Sequence, residues 1–167
     1  GIPSSRTQAG DFHQFIASAS TADLSAFRSV FQYNRDLANR TLTFGSALNV
    51  PTLTTSATAP YARLKVKADW QAEYGAAAAT TMAQSAGANS RSWTISGSRG
   101  YFGAASEYEF ELQDFSGTAG FSNVWGLAAG TATQVTTNAT GAITGTIGVV
   151  AEGNAFKTAA RLQNITP

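Results

Sequence analysis

The sequence predicts a mainly β fold, an antiparallel β-sandwich of jelly-roll or immunoglobulin-like kind with one N-terminal α-helix. Three observations carry this expectation. Residues 63–70 and 107–112 alternate apolar with charged side chains at period two, the mark of strands with one buried and one wet face. Glycines at positions 97, 100, 103, 117, 120, 126, 130, 141, 145, 148 and 153 punctuate the C-terminal half, as short strands joined by turns require. Only around residues 21–38 does the apolar spacing change to three and four.

Residues 1–10 hold Gly, Pro and Ser with no apolar period, and are expected to form a flexible or partner-docked arm. Residues 11–167 then form a single β-rich domain. Its helix is placed near 21–38, where Leu24, Phe27, Val30, Phe31, Leu37 and Ala38 define one stripe. Ser20 or Thr21 is positioned to cap it, and Asp23 to sit near the positive end of its dipole. The Ala76–Ala79 run allows a weaker second helix ending near Gly87 or a loose loop, since Thr80 and Thr81 are poor helix formers.

Strands follow at 63–70, around Trp93 and Ile95, at 107–112 and near the C-terminus. There Ile143, Ile147 and Val149 share one face, as do Phe156, Thr158, Ala160 and Leu162. Glu152-Gly153-Asn154 suits a turn between the last two strands, and seven to nine short strands are expected in all.

Composition narrows the chemistry. Of 167 residues, 84 are Ala, Gly, Ser or Thr, and only 13% are charged, about half the usual share. Eleven Lys and Arg nearly balance ten Asp and Glu, and the basic residues are scattered, so no patch exists to displace nucleic-acid counterions. No cysteine is present, which excludes disulfides, thiol catalysis and cysteine-ligated metals. No apolar run is long enough to span a bilayer, and no cofactor motif occurs.

His13 is the only histidine and has no triad or metal-ligand spacing around it, so it is read as an ordinary polar residue. Glu107, Glu109 and Glu111 would stand roughly 7 Å apart on one strand face, a spacing compatible with paired catalytic carboxylates. The intervening Tyr108, Phe110 and Leu112 mark the core side, which leaves the glutamates on solvent. Arg63, Lys65 and Lys67 form a basic row of the same period. Side by side the rows make a cross-strand ladder; on separate edges they would meet between subunits. Trp70 and Trp93 fall in register with the core. Tyr61, Tyr101 and Trp125 lie in or near turns and are the candidates for exposed aromatic contacts.

The expected function is therefore non-catalytic: a structural subunit of a self-assembling extracellular filament, pilus, surface layer or virion. Its expected partners are copies of itself, with the arm or the last strand completing a neighbour's sheet edge. The alternative is a carbohydrate-binding module using turn aromatics, and a hydrolase built on a carboxylate pair ranks third.

Overall fold

Nine antiparallel strands make up two sheets in the computed structural model, which describes residues 4–86 and 89–167. In chain order they are β1 (His13–Ser20), β2 (Ala26–Asn34), β3 (Thr52–Ala57), β4 (Arg63–Asp69), β5 (Ala77–Ala86), β6 (Asn89–Ser98), β7 (Glu107–Glu111), β8 (Thr133–Thr144) and β9 (Ala155–Ile165). The large sheet has the order β1-β2-β9-β8-β5-β6 and the small one β3-β4-β7. The longest helix among the described residues is one turn, Arg99–Phe102.

The N-terminal helix expected at 21–38 is absent, and β2 occupies its centre. The reason lies in local hydrogen bonding. Thr21 and Asp23 close a hairpin instead of capping a helix: Thr21 Oγ1 accepts from the Ala26 N–H at 3.0 Å, and Asp23 Oδ1 accepts from the Ser25 N–H at 3.1 Å. Leu24 between them adopts φ 57°, and the chain returns as β2 paired with β1. Parity then divides the supposed helical stripe: Val30 points into the core, whereas Phe27 and Phe31 point to the opposite face.

The Ala76–Ala79 run is likewise neither helix nor loop but the start of β5, paired on both sides by β6 and β8. Small side chains suit that crowded central place, and ladder bonding on both edges overrides alanine's helix preference. At the other end β8 stops at Thr144, so Ile147 and Val149 lie in a loop rather than on a strand face. Asn154 braces that loop, donating to the Thr146 carbonyl at 2.6 Å.

The inner faces of the two sheets share one core. Leu64 and Val66 of β4 pack with Met82 of β5, Val135 of β8, and Leu112 and Leu127 from connecting segments. Beyond the small sheet, the inner face of β2 and β9 is covered by an extended segment, residues 45–51. Arg28 donates to the Gly45 carbonyl at 3.1 Å, Arg161 to that of Leu48, and Gln163 to that of Pro51 at 3.1 Å. Burial pushes the Glu73 carboxyl up, but the Ser46 N–H and the Lys157 ammonium outweigh it and leave it below its ordinary value.

Candidate assembly edges and the charge ladder

The two charge rows come together on the outer face of the small sheet. β4 pairs with β7 so that Lys65 stands opposite Glu111 and Lys67 opposite Glu109. Lys65 Nζ lies 3.2 Å from Glu109 and 3.6 Å from Glu111, and Lys67 Nζ lies 2.7 Å from Glu107. Arg63 turns away from the glutamates to Asp114, at 3.4 Å. The hydrogen bond to Glu109 holds the Lys65 ammonium above its ordinary pKa, and the bond to Glu107 does the same for Lys67. These charges are engaged within the chain.

Of the three turn aromatics, Tyr61 is not an exposed contact. It is 3% exposed, its hydroxyl donates to the Gln113 carbonyl at 2.6 Å and accepts from the Phe115 N–H at 2.7 Å. A position beside a turn signals exposure only when the turn faces water, and here the Tyr61 ring fills the shared core while its hydroxyl bonds the 113–115 backbone. Tyr101 and Trp125 are exposed, 83% and 56%. Tyr101 packs edge-on against Phe102, just beyond the C-terminal end of β6. Trp125 packs on Phe121, and its carbonyl accepts from the Trp93 indole at the middle of β6. About half of the ten-residue strand, roughly 17 Å, separates these two aromatics, so they do not form one platform.

β9 does not lie free to complete a neighbour's sheet. Both of its edges are filled, by β2 and by β8. Part of the arm expected at 1–10, residues 1–3, lies outside the described residues; Ser4–Arg6 form a 3₁₀ turn, and residues 5–10 are exposed.

The edges that are open belong to the large sheet, and hydrogen-bond phase identifies their free groups. The Thr21 N–H donates to the Ala26 carbonyl, so odd-numbered residues of β1 bond to β2. Gln14, Ile16, Ser18 and Ser20 therefore turn their N–H and C=O outward. The Arg99 N–H bonds to the Ala76 carbonyl, and by the same phase Ser90, Ser92, Thr94, Ser96 and Ser98 present the free groups of β6. β1 carries no Lys, Arg, Asp, Glu or Pro, and β6 carries only Arg91. Neither strand shows a register shift against its neighbour. The small sheet differs: β7 is five residues long with three glutamates, and β3 has a register shift between Thr55 and Ala57. Charge, shortness and bulges are the usual guards against edge pairing, and the two edges of the large sheet have only Arg91 among them.

An open cleft of about 750 Å³ runs along the first half of the β6 edge, between Ser90–Trp93 and the Val124–Trp125 loop. Residues of both parities line it, which places it beside the strand rather than over one face. Arg91 Nε donates to the Val124 carbonyl at 2.8 Å and holds that loop. Among the described residues, no group of three or more His, Cys, Asp or Glu side chains is placed to hold a metal ion, and no helix is long and apolar enough to cross a membrane. His13 stands on β1 opposite Asn34. No protein-family model matches the chain, and neither a curated protein nor a solved structure does.

Proposed function

We propose that this chain is a two-sheet β-sandwich serving as a non-catalytic structural subunit, joined to copies of itself by strand addition at the edges of its large sheet. The observation that carries this is the pair of long, unguarded edges, β1 and β6. Such edges template pairing with another chain unless something blocks them. The strand order supports a head-to-tail contact. Five successive antiparallel pairings separate β1 from β6, so the two edges run in opposite directions. β1 of one copy then meets β6 of the next as an antiparallel pair by simple translation, a contact that propagates rather than closes. Low net charge, +1, offers little repulsion between copies. An extracellular filament, pilus, surface layer or virion is the setting such a subunit fits.

The test is light scattering behind size-exclusion chromatography over a range of concentrations, on wild type and on Ser18→Pro and Thr94→Pro. Each proline removes an outward N–H without breaking a backbone bond to the neighbouring strand, at the cost of one exposed hydroxyl bond, to Ser29 or to Thr81. Wild type should form large, concentration-dependent species that both variants abolish while keeping their β circular dichroism. Species of unchanged size in both variants would refute edge addition.

The second reading, a carbohydrate-binding module, is favoured by the cleft beside β6. Its volume is within the roughly 300–1,000 Å³ of ligand sites, and its wall includes the exposed Trp125. A monomer at every concentration together with glycan-array binding lost in Trp125→Ala would establish that alternative.

A further inference from the structure

The six strands of the large sheet carry four charged side chains, Arg28, Arg91, Lys157 and Arg161, and all four are on its inner face. Each is engaged there: Arg28 with the Gly45 carbonyl, Arg91 with that of Val124, Lys157 with Glu73 and Arg161 with the Leu48 carbonyl. The outer face of the same sheet has no charged residue on any strand. Surfaces that stay in water usually carry a quarter or more charged residues.

Three pairs of polar side chains on that face bond one another. Ser18 and Ser29 share a hydroxyl–hydroxyl bond of 2.9 Å across β1 and β2, Thr81 and Thr94 share one of 2.9 Å across β5 and β6, and the Gln14 amide donates to the Tyr33 hydroxyl at 2.7 Å. Hydroxyls paired in this way lose little when water is removed. The face is also graded in bulk. Phe27, Phe31, Tyr33 and Phe156 stand on β2 and β9, with Phe31 stacked on Phe156 at 4.6 Å; the β5 side is built of Ala77, Ala79, Thr81 and Ala83.

We infer that this outer face is a second interface between copies of the chain, seated sheet to sheet on the same face of another molecule. The inference rests on the proposed assembly role. A two-fold axis along the strand direction at the middle of the sheet lays bulky β2 of one copy over small-residue β5 of the other, and β9 over β8, so one surface is its own complement. Six strands at about 4.8 Å spacing and about 26 Å in length present roughly 750 Å² per copy, close to the roughly 800 Å² a stable interface needs. A charged partner would find nothing on this face to pair with, whereas a second uncharged face leaves no charge stranded.

Two experiments separate this interface from the edges. The pairing register places Ser29 and Ala77 at the same level, three strand spacings apart within one molecule. That distance, about 14 Å, is too far for an internal disulfide. With no native cysteine, a mixture of Ser29→Cys and Ala77→Cys chains should give covalent dimers on oxidation, several-fold more than either variant alone. Thr136→Lys and Thr158→Lys, at the centre of the face, should weaken that cross-linking at least about tenfold. Both mixtures are repeated in the Thr94→Pro background. Cross-linking that persists there, while large species vanish, supports a face interface distinct from the edge. No excess cross-linking in the mixture overturns the face interface, and edge addition is then judged by the proline variants alone. Persisting cross-links with large species unaffected by either proline would keep the face and refute edge addition.

Discussion

Lys67 sits directly opposite Glu109 in the β4–β7 pair, yet its ammonium bonds diagonally to Glu107, at 2.7 Å. The register explains the choice. Glu107 faces Asp69 across the strands, two carboxylates on adjacent positions of one ladder, and Lys67 is the cation that reaches their side of it. Lys65 meanwhile serves both Glu109 and Glu111. Lys67→Ala should therefore cost stability twice, through the lost ion pair and through the Asp69–Glu107 repulsion it exposes. Asp69→Asn in that background should restore part of the loss. Melting temperatures of wild type and the two variants at low and high salt check this, with the differences shrinking as salt rises.

The same lysines set an alkaline limit. Their folded-state pKa values are raised above the ordinary 10.5, so the ladder's contribution is complete below that value and is lost as pH rises through the higher folded values. Urea midpoints should fall between pH 10 and 12 in wild type. A variant with Lys65 and Lys67 both changed to Gln should fall less over that window.

At acid pH the β1–β2 hairpin is the place to look. Hydrogen bonds from Thr21 first, and then from Ser25, hold the Asp23 carboxyl down at about 2. Its contribution is present above the unfolded value of 3.8 and is lost as pH falls toward 2. Asp23→Ala should lower the midpoint at neutral pH and flatten the decline between pH 4 and 2.

Leu24, beside it, adopts φ 57° with more than half its side chain exposed. Left-handed backbone costs a β-carbon residue about 1 kcal/mol, and asparagine tolerates it better. Leu24→Asn should raise stability by about 0.5 kcal/mol in urea titration, because little packing is lost in exchange.

Gln84 is the most connected polar side chain of the core. Its amide donates to the Ala128 carbonyl, the Thr131 carbonyl and Thr133 Oγ1, at 2.9, 3.1 and 2.8 Å, and its oxygen accepts from the Ala128 N–H at 2.7 Å. It fastens the 128–133 turn to β5. Gln84→Leu keeps the bulk but strands those partners, and should cost about 2–4 kcal/mol in denaturant unfolding.

Gly141 has no such flexible neighbour. A β-carbon there would stand 2.0 Å from the Glu73 carbonyl oxygen, and backbone cannot retreat cheaply. Gly141→Ala should destabilise by about 1–3 kcal/mol and displace the 3₁₀ turn Ala72–Tyr74, whose tyrosine hydroxyl bonds the Ser46 carbonyl. Calorimetry would measure the loss, and amide exchange at Tyr74 would locate it.

What the sequence determined alone is the mainly β class, the period-two rows and the absence of cysteine. Arg63, Lys65 and Lys67 against Glu107, Glu109 and Glu111 were legible because alternation is a local property: one buried face forces the charges onto the other. Tertiary structure decided the rest. Phe27, Val30 and Phe31 fit a helical stripe and a strand equally well at short range, and only pairing with β1 and β9 selects the strand. That choice sends Phe27 and Phe31 to the outer face, which is why the aromatic half of the uncharged surface was hidden in the sequence. Tyr61 could be placed near a turn but not inside the core, since burial depends on which segment crosses above it. Which strands end up as edges is likewise a property of sheet order. β9, last in the chain, is central, while β1 and β6 are left open, because edges arise from non-local pairing that no residue spacing encodes.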